Sequence, residues 1–142
     1  MSAEEQIEYA EYTGESMLPD IQMLVAKDLS EPYSVFTYRY FLHNWPQLCI
    51  CAYAVRAEEG IDSPRIRKLV GTIVCKLDSN ELTGLQSGYI AMLAVDSNYR
   101  KRGIGLKLAT DGIDRMISMG CREVVLEAEV RLPSTMKKVH LQ

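Results

Sequence analysis

This sequence has no long apolar stretch: its longest such runs fall well short of the roughly 20 residues that cross a bilayer. No charged, then apolar, then small-residue order opens the chain, so the reading is a cytoplasmic protein with no cleaved signal and no membrane partner. Histidine is scarce, and His43 and His140 stand too far apart to suggest a metal site. The cysteines, Cys49, Cys51, Cys75 and Cys121, nowhere form C-x-x-C. Three of them lie in strand-like runs and read as small buried hydrophobes rather than zinc ligands or disulfides. Cations occur only in short groups such as Arg65 to Lys68 and Arg100 to Arg102, and the net charge is −3. That is no footprint for nucleic acid. Internal repeats and low-complexity tracts are absent too.

What remains describes one ordinary globular domain. With 142 residues, 47% apolar and 25% charged, the chain needs no second domain and buries about two-thirds of its unfolded surface. Gln6 to Tyr12 carries Ile7 and Tyr9 in alternation, a strand signal. Leu18, Ile21 and Val25 recur at helical spacing after Met17, with Pro19 tolerated in a first turn, predicting a helix to about Leu29. Ser34 is a good N-cap for a second helix whose face carries Phe36, Tyr40 and Phe41 and which Pro46 stops near Trp45. Cys49 to Val55 and Leu69 to Leu77 are apolar runs without helical period, predicting an antiparallel hairpin joined by a polar loop from Arg56 to Arg67. Gly88 to Val95 is apolar on both faces and is expected at the sheet centre. Ile104, Leu108, Ala109, Ile113, Met116 and Ile117 mark a third helix ended by Gly120, and Glu123 to Val130 reads as a last strand. The order strand, two helices, three strands, helix, strand describes an α/β domain with a mixed sheet, the last two strands parallel through a right-handed crossover.

The six residues Arg100-Lys101-Arg102-Gly103-Ile104-Gly105 sit between the fourth strand and the third helix. Helix starts leave amide N–H groups unpaired and carry the positive end of the dipole, so this run suits a diphosphate. A Gly-Lys-Ser/Thr ending for a nucleoside triphosphate is missing, and so is the third glycine of a dinucleotide fingerprint. The pattern left is R-x-x-G-x-G, which resembles the motif of the Gcn5-related N-acetyltransferases (GNAT). By itself it is also compatible with a plain strand-turn-helix.

The neighbouring blocks narrow the resemblance. The element order is similar to the first five strands and three helices of the GNAT acyl-CoA N-acyltransferase fold. Leu29-Ser30-Glu31-Pro32-Tyr33-Ser34, Tyr38-Arg39-Tyr40-Phe41, Trp45-Pro46, Val70 to Lys76, Gly88 to Val95 and Leu126 to Val130 resemble the family of catalytic subunits of N-terminal acetyltransferase C (NatC) complexes. The resemblance implies acetyl transfer from acetyl-CoA, as donor substrate and without a metal, to the α-amine of proteins that keep methionine followed by a hydrophobic residue. It also implies nascent chains, a large and a small auxiliary subunit and, through them, the ribosome as partners.

Residue roles follow from the same resemblance. The backbone near Leu93, Ala94 and Val95 is expected to bond the pantetheine arm as an added strand, where the fourth and fifth strands part. Amides of Arg102, Gly103, Ile104 and Gly105 are expected to take the pyrophosphate, with Arg100 and Arg102 adding charge. In the last strand Val125, Glu127 and Glu129 alternate with Val124, Leu126 and Ala128, and Glu127 matches the family's general base, acting through a water. Leu29, Glu31, Pro32, Tyr33 and Tyr38, with Tyr89, are expected to shape the substrate groove, Glu31 holding the substrate's backbone or amine. For Tyr40 and Phe41 packing against the sheet is the competing reading.

After Val130 the family pattern continues with an Asn, an Ala and a Leu-Tyr pair on a fourth helix, then two more strands, and residues 131–142 do not match it. The expectation is a partial GNAT domain over 1–130 with a divergent tail. The missing tyrosine normally protonates the departing CoA thiolate, so a second function stays open: a non-catalytic truncated form that binds acetyl-CoA or the auxiliary subunits. A lysine or small-amine acceptor is a third.

Overall fold

The computed structural model describes residues 5–57 and 65–126. Five strands form one sheet in the order β1-β2-β3-β4-β5: Gln6–Glu11, Cys49–Ala57, Arg65–Ser79, Gln86–Val95 and Cys121–Leu126. The first four are antiparallel neighbours, and β5 runs parallel to β4. Two helices, α1 (Leu18–Ala26) and α2 (Val35–Asn44), cover one face, and α3 (Ile104–Ser118) covers the other. The result is a three-layer α/β sandwich.

Each element has a local cause. In α1, Leu18, Ile21, Leu24 and Val25 are buried on one stripe, as the spacing predicts. The helix ends at Ala26, three residues before the predicted Leu29, because the Asp28 and Leu29 amides bond back to Val25 and Ala26 and tighten the last turn. In α2, Ser34 caps the start, its hydroxyl accepting from the Thr37 amide at 3.4 Å. Trp45 leaves helical geometry at φ −133, since Pro46 disfavours the helical region for the residue before it. The buried residues of α2 are Tyr38 and Leu42, while Phe36 is 74% exposed and Tyr40 half-exposed. That corrects the predicted face: α2 is apolar on more than one side, so periodicity alone does not say which side meets the sheet.

The strands differ from expectation mostly in length. The β2–β3 hairpin is longer than its apolar runs because β3 extends through charged residues at both ends. Among the described residues β3, not β4, is the middle strand. β4 is internal, yet its burial alternates along the strand: Met92 and Ala94 are buried on the α1–α2 side, and Leu93 and Val95 are only partly buried on the α3 side. Of the strand predicted over Glu123 to Val130, the described part ends at Leu126, and residues 127–142 lie outside the described residues.

Glycines set how closely α3 sits on the sheet. A methyl at Gly71 would come within 3.0 Å of Ile104, and one at Gly112 within 3.0 Å of Ile73, so helix and β3 meet almost backbone to side chain. Ile104, Leu108, Gly112 and Met116 form the buried stripe, and Ile117 is 50% exposed at its margin. All four cysteines are buried and unpaired, as expected. The buried Thr72 hydroxyl donates to the Ile50 carbonyl at 3.2 Å. No helix among the described residues is long and apolar enough to cross a membrane.

Candidate active site

The site begins at the start of α3. Gly103 is its N-cap at φ 80, a left-handed conformation that suits glycine, and it offers no side chain to accept the first amides. Lys107 is the first residue to donate back along the helix, to the Gly103 carbonyl at 2.9 Å. The amides of Ile104, Gly105 and Leu106 therefore have no intrahelical acceptor, and the positive end of the dipole is bare. Lys101 precedes it at φ 65, an uncommon conformation for a residue with a side chain.

β4 leads toward this helix start along an edge that is free among the described residues. Val74 of β3 faces Met92 while Cys75 faces Ile90, which leaves Ala91 as an extra residue on β4. Such a bulge bends the strand and strengthens its local twist. Pairing with β5 is described from Gln86↔Cys121 to Ile90↔Leu126, so beyond the bulge Met92 to Val95 pair with β3 alone among the described strands. Alternate N–H and C=O groups on that edge point away from β3, in the form an added extended segment requires. A narrow cleft lies beside it, lined by Val25, Asp28, Leu29 and Tyr33 on one wall and Ala91, Met92, Leu93 and Ala94 on the other.

Several predicted residues meet here. Leu29 and Tyr33 face Leu93 and Ala94 across the cleft, and Val95 adjoins Gly105, where a methyl would sit 3.5 Å from Val95 Cγ2. Tyr38 does not line the cleft. It lies beneath, 1% exposed, its ring 6.0 Å edge-on from that of Tyr33. Burial, with Tyr33 a smaller contribution, pushes its phenol up to about 12, and among the described residues its hydroxyl has no hydrogen-bond partner. Glu31 and Pro32 are exposed and stand outside the cleft. Tyr89 is half-buried further along β4, opposite Val125 of β5, with the Lys76 ammonium 5.0 Å from its ring centre. Glu127 and Glu129 lie outside the described residues; up to that point the expected alternation holds, with Val124 and Leu126 buried on the α3 face.

The two arginines of the motif have specific partners. Arg100 donates from Nη2 to both Asp28 carboxylate oxygens at 3.1 Å and from Nε to the Val95 carbonyl at 3.2 Å. The Arg102 guanidinium lies 4.8 Å from the Tyr99 ring centre, with Nη1 4.0 Å from Glu5, and the Tyr99 hydroxyl donates to Glu5 at 2.8 Å. That hydrogen bond to Glu5 is the main cause of the raised Tyr99 phenol.

Sequence reasoning missed Asp96, the buried residue that turns the chain from β4 toward the motif. Its carboxylate accepts from the Asn98 amide at 2.9 Å and has the Lys27 and Lys68 ammonium groups each at 3.6 Å. The Asn98 hydrogen bond, partly opposed by burial and helped by the two lysines, holds its carboxyl below the usual range. An Asp two residues before an amide it can cap is the signal that was available. The bulge at Ala91 left none, because a register slip inside an all-apolar run changes no residue type.

The comparisons with known proteins agree with this geometry. The acetyltransferase (GNAT) family model matches residues 18–140. The chain belongs to the acetyltransferase (GNAT) family. The GNAT match spans both walls of the cleft and the glycine turn. Among related GNAT sequences, human N-alpha-acetyltransferase 30 is 50% identical over 131 residues, 92% of this chain and 33% of the human protein. N-alpha-acetyltransferase MAK3 of Arabidopsis thaliana is 51% identical over 127 residues, 89% of this chain and 60% of the plant protein. The chain thus spans between a third and three-fifths of these relatives. A solved structure of the NatC complex bound to Gag peptide and CoA contains a chain 41% identical, superposing with TM-score 0.72 over 89% of this chain and 76% of that one.

Proposed function

We propose that this chain is the catalytic portion of an N-terminal protein acetyltransferase of the NatC type. Its acetyl donor is acetyl-CoA, and its acceptor is the α-amine of an N-terminal methionine followed by a hydrophobic residue. The observation that carries the reading is one juxtaposition: the edge Ala91 to Val95, unpaired with β5 among the described residues, leads through the turn Ser97–Tyr99 to the uncapped start of α3, with the α1–α2 junction across the cleft. An edge of free backbone groups suits an amide-bearing pantetheine arm, and a bare helix N-terminus suits the diphosphate at its end. The 41% identity to a chain of the NatC complex bound to peptide and CoA supports the finer assignment.

Within that reading the residues have distinct tasks. The amides of Arg102 to Gly105 receive the diphosphate, with Arg100 and Arg102 supplying charge. Leu93 to Val95 align the thioester arm, and Leu29 and Tyr33 form the apolar wall nearest the acceptor's first two side chains, with Tyr38 packed beneath Tyr33, Pro32 exposed outside the cleft and Tyr89 further along β4. Glu31, exposed outside the cleft, is assigned to meet the acceptor's backbone or amine as it enters. An α-amine has a pKa of about 7.7–8.0, so near neutrality a base must remove its extra proton before it attacks. Glu127 does so through a water; the nitrogen then bonds the thioester carbonyl carbon, the C–S bond breaks, and the sulfur leaves with the electron pair and takes up the proton that the nitrogen gives up as the amide forms. Acetyl-CoA supplies the activated acyl group, and the chain supplies position and proton transfer. Large and small auxiliary subunits present nascent N-termini at the ribosome, which places the work in the cytoplasm.

The test is acetyl transfer to a Met-Leu-starting peptide, compared with lysine and small-amine acceptors. Acetylation confined to the α-amine supports the reading; transfer to the other acceptors alone refutes it.

A further inference from the structure

The end of α1 is stitched to the cofactor loop by two ion pairs of opposite polarity on consecutive residues. Lys27 reaches Asp96, and Asp28 receives Arg100, the carboxylates and cations alternating across the gap at 3.6 and 3.1 Å. Asp96 and Arg100 bracket the 3-10 turn Ser97–Tyr99 that delivers the chain to Gly103. Asp28 and Leu29 line the cleft from the other side. The segment carrying the acceptor-side wall is therefore fixed in register to the segment carrying the donor-side amides.

The Arg100–Asp28 half is the more directional. One guanidinium nitrogen engages both carboxylate oxygens and the Nε holds the Val95 carbonyl, so the side chain is clamped at two points. Arg100 has five N–H donors, and among the described residues none of these bonds uses Nη1. The guanidinium can thus keep Asp28 and still present Nη1 to a ligand oxygen.

We propose that Asp28 is a positioning residue that aims the Arg100 guanidinium at the cofactor diphosphate and ties the acceptor wall, residues 28–34, to occupation of that site. The proposal rests on the acetyl-CoA reading above and adds to it a named residue that acts on the diphosphate through Arg100. Physically, an anion on Nη1 further immobilises Arg100, and the bidentate pair passes that order to the α1–α2 junction. Ligand binding that rigidifies one segment lowers the ordering cost for the next ligand.

The experiment is hydrogen exchange with and without CoA on the wild-type chain, Asp28→Asn and Asp28→Glu, with CoA affinity measured by calorimetry. Asp28→Asn removes one partner of a partly exposed pair, and unchanged melting shows that it folds. In the wild type CoA slows exchange at 96–106 and at 28–34. In Asp28→Asn, CoA binds about fivefold more weakly. At matched occupancy, 96–106 remains protected and 28–34 does not. Asp28→Glu restores part of both effects. Equal protection of 28–34 in Asp28→Asn at matched occupancy overturns the coupling, and an unchanged affinity overturns the aiming role. Absence of any CoA effect on the wild type overturns the acetyl-CoA reading instead.

Discussion

The two glycines of the motif should respond to the same substitution in opposite ways. At Gly105 a methyl meets nothing nearer than Val95 Cγ2 at 3.5 Å, ordinary contact, and the residue lies in the first turn of α3. Replacing a helical glycine by alanine at a compatible position stabilises by about 0.4–1 kcal/mol, mainly by restricting the unfolded chain. With an unfolding entropy of about 2.1 cal/mol/K per residue, roughly 0.3 kcal/mol/K for a chain of this size, Gly105→Ala raises Tm by about 1–3 °C. On the proposed reading the same methyl stands where the diphosphate approaches the amides. If it weakens CoA about tenfold, then CoA at one hundred times the wild-type Kd contributes about 1.4 instead of about 2.7 kcal/mol, and its Tm shift falls from about 9 to about 5 °C. Differential scanning fluorimetry with and without CoA reads both numbers. Gly103→Ala instead forces a side chain into φ 80 and should lower Tm, at a cost of roughly 1–2 kcal/mol. A Gly105→Ala variant that is more stable yet keeps the full CoA shift would refute the idea that glycine is needed there for ligand approach.

Further outcomes follow from the same contacts. Gly88→Ala places a methyl 2.7 Å from Met116 Sδ and 3.3 Å from Cys121 and Val124, and should destabilise by about 1–3 kcal/mol in urea melts, part of it recovered by Met116→Ala. Asp96→Asn should cost roughly 1–2 kcal/mol at pH 7, because the charged acceptor becomes a neutral amide and Lys27 and Lys68 lose their counter-charge. Since the folded carboxyl is held below its unfolded value, this contribution is present above about pH 4 and disappears as pH falls through the folded pKa, so wild type and Asp96→Asn should converge in acid melts. Glu127→Gln should lower turnover by about 10²-fold or more while leaving CoA affinity unchanged, and equal losses in both would remove Glu127 from the role of base.

What the sequence made legible was whatever depends on residue type at fixed spacing. Leu18, Ile21 and Val25 at helical intervals, Ser34 before α2, and Gly103 and Gly120 at the two ends of α3 each express a local preference, and each stands where expected. Tertiary choices were less visible. Phe36 and Tyr40 are as apolar as Tyr38 and Leu42, so only packing against β3 and neighbouring elements decides that the second pair is buried. The bulge at Ala91 is hidden for the same reason. Long-range charge pairing was hidden as well: Asp28 and Arg100 are 72 residues apart, and nothing local in either segment announces the other. The cleft wall was half legible, with Leu29 and Tyr33 in it and Glu31 and Pro32 outside it.

The most direct measurement is mass spectrometry of a Met-Leu-starting peptide after incubation with acetyl-CoA and the purified chain, alone and with the large and small auxiliary subunits. The account predicts one acetyl group on the α-amine, lost with Glu127→Gln and reduced at limiting acetyl-CoA with Gly105→Ala. Measurable CoA binding with the α-amine left unmodified in every assembly would contradict it.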